Sequence, residues 1–325
     1  MAYLAIVLRR LAQAAGLLVA VTVLNFTLIH LAPGDIVSTI VGEMGGASEE
    51  TIAELRRAYG VDRGYLEQLA IYLGRVAGGD LGTSIYYNKA VFSLILDRIP
   101  ATVLLVLTAL VIALVVGTTL GVLAARYPGG WFAACVNLVS LFGFSAPVFW
   151  SGLMLLLLLA SAIPILPPGG FYDVVAGAQG LAKALDIAHH LVLPATTLAL
   201  IFLALYSRLA RASMLEVLGS DYVRTARAKG VPERVVVVKH ALRNALLPVV
   251  TVAGLQFSAM LAGAVLVETV FTWPGLGQLA FESILRRDNQ LILGILLLSA
   301  VLVTLGNLIT DILYRIVDPR IKTDG

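Results

Sequence analysis

The residues best suited to act on another molecule lie in one basic stretch, residues 208–248. Ser220 can cap a helix over Asp221–Lys229, and Gly230 can end that helix in the left-handed conformation. Pro232 cannot continue the first helix but suits the first turn of a second one. The pattern therefore predicts a rigid elbow made of two helices. Six basic side chains line this elbow: Arg224, Arg227, Lys229, Arg234, Lys239 and Arg243.

A rigid elbow suits the transmission of a domain movement, because such a movement needs a firm element that is pushed from one end. Pro248 can kink the apolar run that follows, where the motion would enter it. The alternative is an ordinary basic loop at a membrane surface, although a plain connection needs only a few residues. The residues alone favour a coupling segment and leave the basic loop open.

Catalytic chemistry finds little support in the rest of the chain. The stretch Gly143-Phe144-Ser145-Ala146 lacks the glycine after the serine that an intramembrane protease would have, and no membrane histidine is placed as its base. His189 and His190 are neighbours, so they point to different helix faces and suit a membrane interface better than a metal site. No Gly-Lys pair occurs, so the chain lacks the phosphate-binding loop of an ATPase. We predict no catalytic residue, no metal, no cofactor bound by this chain and no enzymatic activity.

The elements that must position the elbow are strongly apolar. Of the 325 residues 59% are hydrophobic and 13% are charged, with a mean hydropathy of +0.93, whereas a soluble domain carries about 25% charged residues. A bilayer core needs about 20 apolar residues per helix. The sequence therefore predicts an all-α polytopic membrane protein with six transmembrane helices. The six runs are Leu11–Gly34, Ile99–Ala125, Trp131–Tyr172 with its helical part ending near Ile163, Leu191–Ser207, Ala245–Val267 and Leu291–Thr310.

The distribution of charge predicts the orientation of these spans. Basic residues concentrate in segments 1–10, 126–130, 208–244 and 311–325, whereas the other loops carry most of the acidic residues. Short cytoplasmic loops carry an excess of Lys and Arg, so these four segments are predicted to be cytoplasmic. The topology is then N-in and C-in, and the basic composition requires no nucleic-acid partner.

The long first outer loop, about residues 33–98, is predicted to hold two short amphipathic helices. Ser48 can cap the first, which begins with two glutamates that suit the helix dipole. The second places four apolar residues on one face between Leu66 and Val76. These helices could contact an external partner or simply cover the bundle. We divide the chain into residues 1–98, the first span with this loop, and residues 99–325, a five-helix core with segment 208–248.

Polar side chains within the predicted spans are the candidates for a pathway through the bundle. The alternative is that they form hydrogen bonds between helices, which is common in membrane bundles. A proton-coupled secondary transporter would need ionisable residues near the bilayer midplane, and no Asp or Glu occupies the centre of a predicted span. That class therefore remains a distant alternative, as does a non-transporting scaffold. The candidate pathway residues are Asn25, Asn137, Gln256 and Asn307.

Several motifs together resemble those of importer permeases in the ATP-binding-cassette superfamily. The resemblance covers nearly the whole chain and is closest to the first permease of the dipeptide, oligopeptide and nickel group. Residues 221–230, Asp-Tyr-Val-Arg-Thr-Ala-Arg-Ala-Lys-Gly, followed by His240–Pro248, are similar to the coupling-loop signature. The other familial motifs lie at Leu31–Asp35, Gly79–Ser84, Arg98–Thr102, Ser145–Phe149, Glu268–Gly277 and Asp318–Arg320.

The resemblance implies a type I importer permease fold and a multi-pass protein of the bacterial or archaeal cytoplasmic (inner) membrane. It implies as partners a second homologous permease, two ATP-binding subunits, an extracytoplasmic solute-binding protein and membrane lipid. ATP and Mg²⁺ would bind to the ATPases. The imported solutes would be di- or oligopeptides, with nickel chelates, opines or sugars as the alternatives in related systems.

The resemblance also places the contact with the ATPase on the first helix of the elbow. The superfamily-wide loop begins Glu-Ala-Ala, but Arg224-Thr225-Ala226 stand here, as in the peptide group. Contacts made by that glutamate in other importers therefore do not transfer to this chain. The residues expected to touch the ATPase are Ser220, Asp221, Tyr222, Arg224, Thr225, Ala226, Arg227, Ala228, Lys229 and Gly230.

Overall fold

The computed structural model describes residues 2–31, 36–58 and 60–317, and most of these residues are helical. The familial residues 32–35 and 318–320 lie outside the described residues. One short antiparallel hairpin, β1 (Thr83–Ser84) and β2 (Lys89–Ala90), pairs Thr83 with Ala90. The helices are α1 (Ala2–Leu31), α2 (Ile36–Glu43), α3 (Glu49–Ala58), α4 (Tyr65–Ala77), α5 (Val91–Arg126), α6 (Trp131–Ser145), α7 (Val148–Leu156), α8 (Gly180–Leu218), α9 (Asp221–Ala228), α10 (Glu233–Val235), α11 (Leu242–Ala245), α12 (Leu247–Val270), α13 (Leu276–Leu285) and α14 (Asn289–Val317).

Several of these helices are long and apolar enough to cross a bilayer. Three described helices meet that requirement alone, namely Val91–Arg126, Gly180–Leu218 and the part of α14 over Asn289–Leu308. Two bent pairs of helices raise the number to as many as five if each pair forms one span. Ala15–Leu31 is a shorter apolar helix. The helical, polytopic character is therefore confirmed, whereas the number of six spans stays a prediction.

The third apolar run is not one continuous helix. Helix α6 ends at Ser145, and the chain restarts as α7, which continues in a π-helical turn over Leu157–Ala162. The two parts are bent by 113°. Pro147 causes the break, because it has no N–H to donate and disfavours the helical conformation at the residue before it. Ala146 is accordingly extended, with φ −80° and ψ 135°.

The fourth predicted span is much longer than its apolar run. Helix α8 covers 39 residues and includes Pro194, so residues 208–218 continue the helix instead of forming a loop. Two glycines of α5 allow its close approach to α8. A Cβ at Gly117 would lie 2.7 Å from the Leu203 carbonyl oxygen, and one at Gly121 would lie 2.3 Å from that of Ser207. This contact requires glycine at both positions.

The chain forms two compact units, residues 1–100 with 279–305, and residues 101–278 with 306–325. In the first unit, the two predicted amphipathic helices are present as α3 and α4, and the Thr51 N–H donates to the Ser48 hydroxyl over 3.2 Å. Ser84 there donates a hydrogen bond to the Asp288 carboxylate, which fixes the hairpin to the segment before α14.

The second unit has an apolar core built mainly from α5, α8 and α12. Its fully buried members include Leu105, Tyr206 and Met260. Trp273, which follows α12, is also fully buried; its indole N–H donates to the Ala101 carbonyl over 2.8 Å. This core includes side chains of α8 as far as Ala210, and the elbow begins at the end of the same helix.

Candidate coupling site

The first arm of the elbow is helix α9, Asp221–Ala228. Ser220 occupies the N-cap position, as predicted, but its side chain does not cap the helix. Its hydroxyl donates backwards to the Val217 carbonyl over 2.6 Å, so the capping prediction was wrong in this respect. Asp221 in the first turn complements the helix dipole. The helix therefore starts where the sequence predicts, with a carboxylate rather than a capping hydroxyl near its N-terminus.

The corner of the elbow is formed by Gly230. Its φ of +76° is in the left-handed region that side chains disfavour. The next N–H, that of Val231, donates to the Ala226 carbonyl over 3.2 Å and closes the end of the helix. Pro232 stands immediately before α10, where its fixed φ suits the start of a helix. The predicted Gly-x-Pro corner is confirmed as a backbone geometry.

The second arm is a chain of short helical segments. Helix α10 leads into a π-helical turn over Val236–Ala241, and α11 follows. The chain then bends by 40° at Leu246 before α12. Pro248 lies in the first turn of α12. The bend therefore comes just before the proline, which lies in the first turn of α12, where its missing N–H breaks no helical hydrogen bond.

A small apolar core holds the two arms together. Val223 and Ala226 of α9 pack with Val236 of the second arm, and all three side chains are buried. Val217 and Leu218, at the end of α8, pack against this cluster. A second cluster joins Met214 of α8 to Val237, Ala241 and Ala245. Both arms of the elbow are thus packed on the end of α8.

Polar contacts brace the same corner. Arg227 donates through Nε and Nη2 to both carboxylate oxygens of Glu233, over 3.1 and 2.8 Å. The hydrogen bond from Arg227 lowers the pKa of Glu233, and the same bond raises the pKa of Arg227. The Asn244 side-chain amide donates to the Tyr222 hydroxyl over 2.8 Å, which joins α9 to α11. Two predicted contact residues therefore have a role inside the elbow.

Most predicted contact residues lie on the exposed face of α9 and in the turn after it. Ala226 is buried in the elbow, while Arg224 forms an exposed ion pair with Asp221 at 2.5 Å. The exposed predicted contact residues, including the two that also brace the elbow, are Asp221, Tyr222, Arg224, Thr225, Arg227, Ala228, Lys229 and Gly230. This face is polar and mixed in charge.

Two of the four candidate pathway residues, Asn137 and Asn307, accept hydrogen bonds from neighbouring helices. Arg211 of α8 donates to the Asn137 side chain over 2.9 Å. The Ser258 hydroxyl of α12 donates to the side-chain carbonyl of Asn307 in α14 over 2.8 Å. Asn25 and Gln256 are half-buried. The contacts of Asn137 and Asn307 fit the alternative of interhelical hydrogen bonding, and a pathway role for all four stays a prediction.

The burial of one carboxylate, that of Glu268, was not predicted from the sequence. Glu268, near the end of α12, has no exposed surface. It accepts hydrogen bonds from the Thr102 hydroxyl (2.7 Å) and from the N–H groups of Gly277 (2.6 Å) and Gln278 (3.2 Å). A Cβ at Gly275 would lie 2.2 Å from the Glu268 carboxyl. In the sequence, this site could have been found only from the Glu268–Gly277 motif, which contains the glutamate and both glycines. The two glycines leave room for the Glu268 carboxylate, which explains why they follow it at this spacing.

Comparison with known proteins identifies the chain by family. Residues 117–323 match the family model described as binding-protein-dependent transport system inner membrane component, and residues 3–106 match the corresponding N-terminal model.

Three relatives are similar over almost their full lengths. They are a dipeptide transport system permease protein of Alkalihalophilus pseudofirmus (39% identical; 98% of this chain, 99% of the relative), an oligopeptide transport system permease protein of Bacillus subtilis (40%; 98% and 99%) and a di/tripeptide transport system permease protein of Pseudomonas aeruginosa (42%; 98% and 99%). With the packed elbow and the apolar helices, these matches show that the chain belongs to the inner-membrane components of binding-protein-dependent transport systems, the permeases of ATP-binding-cassette importers.

Proposed function

We propose that this chain is one of two homologous permeases that together import di- or oligopeptides across the inner membrane. The observation that carries the substrate class is the similarity to permeases named for dipeptides, di/tripeptides and oligopeptides, each over almost the whole chain. Six spans with both termini in the cytoplasm agree with the concentration of basic residues in the segments between them. The second permease, two ATP-binding subunits and a solute-binding protein complete the complex.

The elbow couples this permease to an ATPase through the exposed face of α9. ATP and Mg²⁺ bind on the ATPases, whose closure pushes α9. Because Val223 and Ala226 are packed against Val236, and Arg227 is tied to Glu233, α9 moves together with the second arm. The push then enters α12 at the bend near Leu246. A ligand shifts an equilibrium only through its different affinity for the two states, so closure of the ATPases must favour one orientation of the bundle.

Replacing the corner glycine tests this coupling in cells whose own peptide permeases are deleted. Gly230→Pro imposes a φ near −65° where the corner has +76°. We expect uptake of a labelled dipeptide to fall about tenfold or more, since backbone strain of about 1–2 kcal/mol corresponds to roughly that factor. ATP binding by the partner ATPases should be unchanged.

Two further variants make this test specific. Gly230→Asn, which tolerates the left-handed region, should retain most of the uptake. Gly219→Ala, at a helix end with φ −82°, is the matched control and should behave like the wild type. Normal uptake by Gly230→Pro would refute the elbow mechanism. Uptake of a nickel chelate or a sugar in place of the dipeptide by the wild type would refute the peptide assignment alone.

A further inference from the structure

A cavity of about 240 Å³ in the first unit is unusually rich in arginine. It lies between α1, α3, α4, the residues before β1 and the start of α14. Its polar lining includes Arg57, Arg63, Arg75, Tyr72, Asp80 and Gln290. Among the residues that the structure describes, Arg63 pairs with Glu67 at 3.3 Å, while no carboxylate lies within 4 Å of Arg57 or Arg75. The cavity therefore carries an excess of positive charge and suits an anion.

Hydrogen bonds and a ring contact hold side chains in the wall of this basic cavity in place. The Asp80 carboxylate accepts the Gly82 N–H over 2.8 Å, and the Gln290 side chain accepts the Thr83 N–H over 3.1 Å. Phe26 of α1 stacks on Tyr72 of α4 with their ring centroids 5.4 Å apart. Burial raises the pKa of Tyr72 to about 12, so its hydroxyl stays protonated and can donate. The cavity thus offers guanidinium and hydroxyl donors beside an aromatic surface.

A second, apolar cavity of about 520 Å³ adjoins the first, and Leu81 lines both. Its lining belongs to α1, α4, α14 and the first turn of α5. On α1 it extends from Thr22 to Leu18, eight residues before Phe26, which is about 12 Å along a helix. On α14 it extends to Val301, eleven residues after Gln290, or about 16 Å. The apolar groove therefore leads away from the basic cavity along two apolar helices.

We propose that these two cavities form one site for an anionic phospholipid. Its phosphate group lies at Arg57 and Arg75, and one acyl chain follows the groove beside Val19 and Leu298. Guanidinium groups match phosphate oxygens in charge and geometry. A soluble anion could bind in the basic cavity, but it would make no favourable contact with the apolar groove. Under the topology proposed above, this lipid belongs to the outer leaflet.

Native mass spectrometry of the purified full-length chain in a neutral detergent tests this site. The wild type should retain phosphatidylglycerol at least about tenfold more strongly than phosphatidylcholine, because two arginines face a headgroup with net negative charge. The double variant Arg57→Gln/Arg75→Gln should lose this preference. Arg56→Gln, on the same helix but outside the cavity lining, is the matched control and should keep it.

The groove is tested separately on α1. Val19→Trp places a large ring in the groove and should weaken retention of phosphatidylglycerol, whereas Leu24→Trp, exposed on the same helix but outside the groove, should not. The wild-type comparison of the two lipids needs no variant to fold.

Several results would overturn the lipid site. They are equal retention of the two lipids by the wild type, unchanged retention by the double variant or by Val19→Trp, and displacement of the lipid by inorganic phosphate at equal concentration. A copurified complex with the second permease that holds no lipid in the groove would also overturn it. None of these results bears on peptide uptake, so this site and the proposed function fail independently.

Discussion

Two bends in the second unit, the elbow (residues 220–248) and the corner at residues 268–278, differ in what holds them. The elbow is closed by a few small apolar side chains and an ion pair whose partners are 40% and 51% exposed. The second bend, here called the Glu268 corner, is closed by a carboxylate and an indole with no exposed surface at all. One face of α9 remains open, whereas the Glu268 corner is filled from every side.

This difference indicates different tasks for the two bends. A surface that binds another protein must remain exposed and is free to be polar, as α9 is. A buried carboxylate is stable only when hydrogen bonds compensate its desolvation, and Glu268 receives at least three. Such a fully satisfied polar group fixes one arrangement of the chain. We infer that the Glu268 corner is a rigid anchor at one end of α12, opposite the end where we propose that the elbow transmits movement.

The largest effect should come from removing the anchor. Glu268→Ala leaves a hydroxyl and two N–H groups buried without this acceptor, which should cost at least about 3 kcal/mol. The measurement is the melting temperature of the purified chain in detergent. Glu216→Ala removes an exposed carboxylate near the end of α8 and should stay within about 0.5 kcal/mol of the wild type. Equal melting temperatures for these two variants would show that the Glu268 corner is no anchor.

A smaller loss should follow from crowding the same corner. A Cβ at Gly277 would lie 2.4 Å from the Val265 Cα and 2.9 Å from a Glu268 oxygen. The backbone cannot yield as a flexible side chain would, so Gly277→Ala should cost about 1–3 kcal/mol in the same melting experiment. Gly129→Ala is the control, because its Cβ would meet nothing within 4 Å. A Gly277→Ala chain as stable as Gly129→Ala would contradict the close packing around Gly277.

The smallest stability effect should come from the exposed brace of the elbow. Glu233→Gln removes the partner of Arg227 and should lower the melting temperature less than Gly277→Ala, because exposed ion pairs contribute little. The pKa of Glu233 is lowered in the folded chain, so its contribution is present at neutral pH and is lost as the pH falls through that lowered value. Wild type and variant should therefore converge on acidification, as followed by melting at a series of pH values. A difference that widens on acidification would exclude this ion pair as its source.

The sequence was enough to predict the character of the elbow but not its internal contacts. Gly230 and Pro232 have backbone requirements of their own, so their positions alone indicated a corner. The roles of Arg227 and Ser220 depend on neighbours: Arg227 turns towards Glu233, and the Ser220 hydroxyl donates to Val217 rather than capping α9. The same side chains could have faced a partner without any change in the sequence pattern.

Hydropathy, helix-ending residues and local spacing act over a few turns of chain, so the residues alone indicated the membrane class, the apolar runs, the two amphipathic helices and the family motifs. The 113° angle of the bend at Pro147, the burial of Glu268 and the position of Leu81 in the lining of two cavities became apparent only in the tertiary structure. Each of these depends on groups that are distant in the chain or on an angle that local propensity leaves free. Thr102 and Glu268, for example, are 166 residues apart and meet only when the second unit has formed.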